Sequence, residues 1–266
     1  MTKFVVVVLP DEPKAYEASR ELKALHAEGT LTLYSLAILA KDKAGALSVK
    51  QHVEDGPLGV AVGSLVGGLV GLLGGPAGAL AGMVGGALIG SMGDLVDLGL
   101  DADFIKDVAT KLAPGKTAIV AELDEAWDTP MDTRMQALGG TVLRSWRADF
   151  EDEQLAKQIA HQDADFEKLK SAYSHAKADT KATLKTSIDT AKTGLDKAGT
   201  RVGARFDSLN TEMKAKIAVL EKQAADASAH TRDGIDERLA LLKASYKTRE
   251  GKLKKAWDLT KSALAA

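Results

Sequence analysis

The sequence predicts an α+β protein: a ferredoxin-like head, a glycine-zipper helical hairpin inserted into it, and a long α-helical tail of coiled-coil or amphipathic type. Three observations carry that reading. Short apolar runs alternate with helix-period segments through the first 150 residues, no charged residue lies between Asp55 and Asp94, and no proline follows Pro130. The expected division is residues 1–55 with 95–150 as the head, 56–94 as the hairpin and 151–266 as the tail.

Phe4 to Leu9 is an unbroken apolar run that Pro10 ends, which predicts a buried strand; it is too short for a signal peptide. Glu12 to His26 follows with Tyr16, Leu22 and Leu25 at helical spacing, so a helix is expected there. Leu31 to Ala40 and Ala46 to Val53 flank the Lys41-Asp42-Lys43 turn and should pair as an antiparallel hairpin. Asp101 to Leu112 aligns Phe104, Ile105, Val108 and Leu112 on one helix face, and Pro114-Gly115 precedes the strand Thr117 to Leu123. With the interruption set aside, the order is β-α-β-β-α-β. A short helix over Pro130 to Leu138 and a strand over Thr141 to Trp146 close the head.

The interruption repeats glycine every four residues. Gly59, Gly63, Gly67, Gly71 and Gly75 form one series, Pro76 intervenes, and Gly78, Gly82, Gly86 and Gly90 form a second. Residues four apart share a helix face, and a face without side chains lets two backbones approach closely, a packing mode that membranes favour. In water each such glycine costs about 0.8–1 kcal/mol relative to alanine. Leu58 to Leu73 would span roughly 24 Å at about 1.5 Å per residue, short of a hydrocarbon core of about 30 Å. A re-entrant hairpin is therefore expected in preference to two ordinary crossings. The alternative is an apolar hairpin buried within a soluble oligomer.

These residues resemble a known bacterial family. Lys41-Asp42-Lys43-Ala44-Gly45, the glycine-zipper hairpin, Asp97-Leu98-Gly99-Leu100-Asp101, Leu112-Ala113-Pro114-Gly115-Lys116-Thr117-Ala118 and Gly139-Gly140-Thr141-Val142-Leu143 together are similar to the family known as domain of unknown function 1269, over about residues 1–160. Its members are described as membrane proteins. The resemblance implies an α/β domain with a membrane-type hairpin and no established reaction.

The tail repeats every eleven residues. Val202, Met213, Ala224, Ile235, Tyr246 and Trp257 form one row, and Leu209, Leu220, Thr231, Leu242, Leu253 and Leu264 another. That period equals about 3.67 residues per turn, so the apolar stripe runs nearly straight. Either lipid headgroups cover it, or protein does, as a second copy or as a return helix turning near Gly194 to Gly203. Interleaved acidic residues favour protein. Lys243 to Lys261 is rich in lysine and carries Tyr246 and Trp257, a composition that an anionic membrane attracts.

Composition narrows the chemistry. The first 150 residues are net acidic and the remainder net basic, with an overall charge of -2, so nucleic acid is not an expected partner. The chain has no cysteine, which excludes thiolate metal sites and cysteine nucleophiles. Gly115-Lys116-Thr117 imitates the end of a phosphate loop, but Thr110 stands where its first glycine belongs and a strand follows; a tight turn is expected. The five histidines are scattered, and no cofactor, metal or small-molecule substrate is expected. The sequence thus points to a non-enzymatic, self-assembling scaffold or remodelling element on the cytoplasmic side of a bacterial inner membrane, with itself and lipid as partners. A glycine-lined oligomeric pore is the rival reading.

Overall fold

The protein is described from a computed structural model, which covers residues 2–51, 56–73, 102–146 and 150–265. Two compact units are present, Met1–Ala148 with Glu212–Lys243 and Asp149–Thr211 with Ala244–Ala266.

The first unit is built on a five-stranded sheet. In chain order its elements are β1 (Thr2–Leu9), α1 (Glu12–Ala27), β2 (Leu31–Lys41), β3 (Leu47–Gln51), α2 (Gly59–Leu73), α3 (Ala102–Lys111), β4 (Thr117–Glu125), α4 (Thr129–Ala137) and β5 (Thr141–Trp146). The strands lie in the order β3-β2-β4-β1-β5, and every neighbouring pair is antiparallel. The expected β2–β3 hairpin forms, closed by Asp42, whose Oδ1 accepts the Ala46 N–H at 2.8 Å. Gly115-Lys116 is a turn, with Gly115 at φ 86° donating its N–H to Lys41 O at 2.8 Å, and β4 follows it.

β1 is apolar throughout because both of its faces are covered. Phe4, Val6 and Val8 join a core with α2 and α3, whereas Val5, Val7 and Leu9 join a second core with α1 and α4. Asp11 starts α1 by accepting the Lys14 N–H at 2.9 Å, and Pro13 occupies its first turn. The helix ends at Gly29, whose φ of 76° permits the Thr30 N–H to reach Leu25 O and its own N–H to reach His26 O, both at 3.0 Å.

α2 is the first arm of the expected hairpin, and it is a layer of this unit. Val62, Leu65 and Leu69 are fully buried in the core formed with β1, β2, β4 and α3. Where the sequence set residues 56–94 apart from the head, burial of this valine and leucine face against the sheet makes α2 part of it. Among the described residues nothing lies within 4 Å of a Cβ built on Gly63 or Gly67, and Val60 is 67% exposed. Gly63→Ala and Gly67→Ala should therefore each stabilise the fold by about 0.8–1 kcal/mol, because alanine restricts the unfolded chain and meets no obstacle in the helix. Urea unfolding measures this; a loss of stability would mean that this face is covered in the folded protein. Gly75, Pro76, Gly78, Gly82, Gly86 and Gly90 lie outside the described residues.

The tail is three helices, α5 (Phe150–His175), α6 (Ala178–Asp226) and α7 (Ala229–Ala265). A return near Gly194 to Gly203, one of the alternatives the sequence allows, does not occur: α6 runs unbroken through those residues, and the chain turns at 227–228 instead. Glycine lowers helix propensity without breaking a helix. Here it makes room, since a Cβ built on Gly203 would lie 3.7 Å from the Trp257 ring and one on Gly199 3.6 Å from Thr260. Residues 212–243, expected as part of a separate tail, belong to the first unit.

Candidate functional site

One sheet face changes character along β4. Ala118 and Val120 point into the α2–α3 core, and two and four residues further on the same face carries Glu122 and Asp124, both buried. β2 contributes to this polar end through a bulge between Leu33 and Ser35, beside the position where Ser35 faces Glu122. The extra residue is Tyr34, whose hydroxyl donates to Asp124 Oδ2 at 2.6 Å. Thr32, opposite Asp124, is fully buried.

Residues 212–243 cover this patch with matching charges. Lys216 is 1% exposed; its Nζ donates to Glu122 Oε1 at 2.7 Å, pairs with Glu212 Oε1 at 2.9 Å, and stands 4.8 Å above the Tyr34 ring. A buried ammonium is tolerable only with such partners, because desolvation costs several kcal/mol. Gln223 grips the turn after α1. Its Nε2 donates to His26 O at 2.6 Å and Leu31 O at 2.7 Å, and its Oε1 accepts from Thr32 Oγ1 at 2.7 Å. Arg238 holds the same turn from α7, donating from Nε to Thr32 Oγ1 at 3.1 Å and from Nη2 to Gly29 O at 2.8 Å.

The electrostatics follow from burial. Burial lowers the Arg238 pKa from its ordinary value, and nearby acidic groups, the Asp124 carboxylate first, act against that. His26 is also lowered, first by burial and then by the Arg238 and Lys222 charges. On the other sheet face, Glu125 receives Lys3 Nζ at 3.2 Å and Arg144 Nε at 2.6 Å. Chemically, the patch beneath residues 212–243 is a lock of paired charges: Lys216 is held between two carboxylates, and Thr32 both donates and accepts. No cluster of three or more histidine, aspartate or glutamate groups able to hold a metal occurs among the described residues.

Of the glycine series, Gly59, Gly63, Gly67 and Gly71 lie on α2. The tail stripe divides between the units. Met213, Leu220, Ile235 and Leu242 fall in the first and Val202, Leu209, Tyr246, Leu253 and Trp257 in the second. All are buried except the half-buried Met213 and Trp257. In the second unit Leu195, Phe166 and Ala263 form a small core. There the fully buried Asp152 accepts Arg205 Nε at 2.7 Å and Arg249 Nε at 2.6 Å. Sequence reasoning missed Lys216, Glu122, Asp124, Gln223 and Arg238. The available signals were a pair of acidic residues two apart in an apolar strand, and polar residues at helical spacing from Leu220.

The fold and this lock define an α+β domain whose antiparallel sheet carries helices on both faces, joined to a helical tail. Residues 60–160 match the model of the family described as Protein of unknown function (DUF1269), the family that the motifs resemble. The match begins within α2 and ends within α5, leaving β1 to β3 and most of the tail outside it. No curated protein and no solved structure matches the chain.

Proposed function

We propose that the protein is a non-enzymatic, self-assembling scaffold that associates with a membrane through its uncharged glycine-rich segment. One observation carries the reading. α2 spends its valine and leucine face on the sheet, and among the described residues nothing lies within 4 Å of a Cβ built on Gly63 or Gly67, on a helix with no charge along it. A glycine face presented outward suits close backbone approach by another helix. We also read the head as ferredoxin-like, with β4 in place of β3 as the third strand. β1, β2, β4 and β5 then follow the β-α-β-β-α-β order, with β3, α2 and α3 inserted ahead of β4.

No helix among the described residues is long and apolar enough to cross a membrane. At 15 residues α2 measures about 22 Å, so the contact proposed is with one leaflet, on the cytoplasmic side. Packing of α2 on the sheet also favours a second reading, in which the glycine face is a contact between subunits in solution. Both are tested with full-length protein and Gly63→Leu/Gly67→Leu, compared by flotation on phosphatidylglycerol vesicles and by sedimentation velocity. The membrane reading expects wild type to float and the variant to float less. A wild type that assembles without vesicles, and a variant that does not, supports the second reading. If both proteins remain monomeric and neither floats, both readings fail.

A further inference from the structure

His26 sits where residues 212–243 meet the turn after α1. Its Nδ1 accepts the Leu33 N–H at 3.3 Å, and because a backbone amide can only donate, Nδ1 must carry a lone pair. Gln223 Nε2 lies 3.2 Å from the same atom, and its orientation is fixed by its bonds to two carbonyls and to Thr32. Both N–H groups of Gln223 are given to the His26 and Leu31 carbonyls, so the Leu33 amide is the donor to Nδ1, and the docked arrangement suits the neutral ring protonated on Nε2. The charged groups bearing on the ring are Lys222 from α6 and Arg238 from α7, both cationic, while β2 presents the Leu33 amide and, acting the other way but more weakly, a backbone hydrogen bond at Leu31. An imidazolium would place a third positive charge among them and an N–H against the Leu33 N–H. Since His26 is half-buried, solvent protons reach it.

We propose that this junction is a proton-operated clasp: protonation of His26 breaks its contacts with Leu33 and Gln223 and loosens residues 212–243 from the polar end of the sheet. The described members of the sheet's two apolar cores include no residue from 212–243; the segment lays Thr231 and Ile235 over Gly29 and otherwise holds the sheet and turn through paired charges and hydrogen bonds, contacts that respond to a change of charge at His26. The sign follows from linkage. Burial and the two cations hold the docked ring below its ordinary 6.5, so the docked state binds fewer protons than the released one. Docking is complete above about pH 6.5 and weakens as pH falls through the lowered value, tenfold for each unit by which docking lowers it. The inference does not depend on membrane association.

The chain has no cysteine, so two introduced cysteines are unique labels. Spin labels at Lys23→Cys and Glu221→Cys, both exposed positions, report the distance between α1 and α6 in the full-length protein. One narrow distance is expected at about pH 7.5 and an added longer population at about pH 5. With His26→Asn, whose Oδ1 accepts where Nδ1 did but does not titrate, the narrow distance should persist at both values. A wild-type distance that does not change between the two pH values, or a His26→Asn chain that opens as readily, overturns the clasp. Proton titration of the His26 ring by NMR in the unsubstituted chain tests it independently of how the variant folds: a midpoint below 6.5 is expected, and one at or above it overturns the proposal.

Discussion

Replacing Lys216 with methionine should destabilise the first unit by about 3–5 kcal/mol, the cost of leaving a buried charge without its partner. Glu122 is 1% exposed and loses its 2.7 Å contact with Nζ, while Glu212 keeps its charge beside it. The loss should come mainly from the carboxylate deprived of its ammonium. Adding Glu122→Gln to Lys216→Met should therefore recover a large part of it, since a neutral amide costs far less to bury than an anion. Urea unfolding followed by a probe in the sheet measures both steps. Lys14→Ala provides the contrast: that lysine pairs with Glu17 on the surface, with side chains 42% and 43% exposed, and its removal should cost no more than about 1 kcal/mol. Equal losses for Lys216→Met and Lys14→Ala would mean that residues 212–243 leave the sheet readily at neutral pH.

The fold was legible where one physical pattern dominated. β1, the β2–β3 hairpin, α3 and β4 follow from apolar runs, helical spacing and turn residues, and each forms as those patterns predict. The position of α2 was not legible, because an uncharged helix of valine, leucine and glycine satisfies lipid and protein neighbours alike; only the burial of Val62, Leu65 and Leu69 decides where that face goes. Tail geometry was half legible. An eleven-residue period specifies a straight stripe but not its cover, and glycines at 194, 199 and 203 suggested a turn, where the last two instead admit Thr260 and Trp257. The lock was the hardest part to read. Glu122 and Lys216 are 94 positions apart, and a lysine in a lysine-rich helix carries no mark of burial. Gln223 and Arg238 were hidden for a related reason: their partners are mostly backbone carbonyls and one threonine hydroxyl, which any sequence offers in abundance.

In the second unit the corresponding lesion is Asp152→Ala, with an expected loss of about 3–5 kcal/mol. Asp152 is fully buried in the first turn of α5, where the helix dipole already favours an anion, and its two oxygens accept one guanidinium each. Removing the carboxylate takes away the charge that Arg205 and Arg249 share. The two arginines are not equivalent. Arg249 is 6% exposed at its side chain and stacks 5.3 Å from the Tyr246 ring, whereas Arg205 is 25% exposed and retains access to water. Arg249→Met should consequently cost more than Arg205→Met, because the Asp152 oxygen it abandons has less water available to replace it. Thermal unfolding of the three variants, followed by helix content, ranks them. The expected order of damage is Asp152→Ala, Arg249→Met, Arg205→Met. If the two arginine variants lose equally, Asp152 is reached by solvent from both sides and the bridge contributes as a surface pair would.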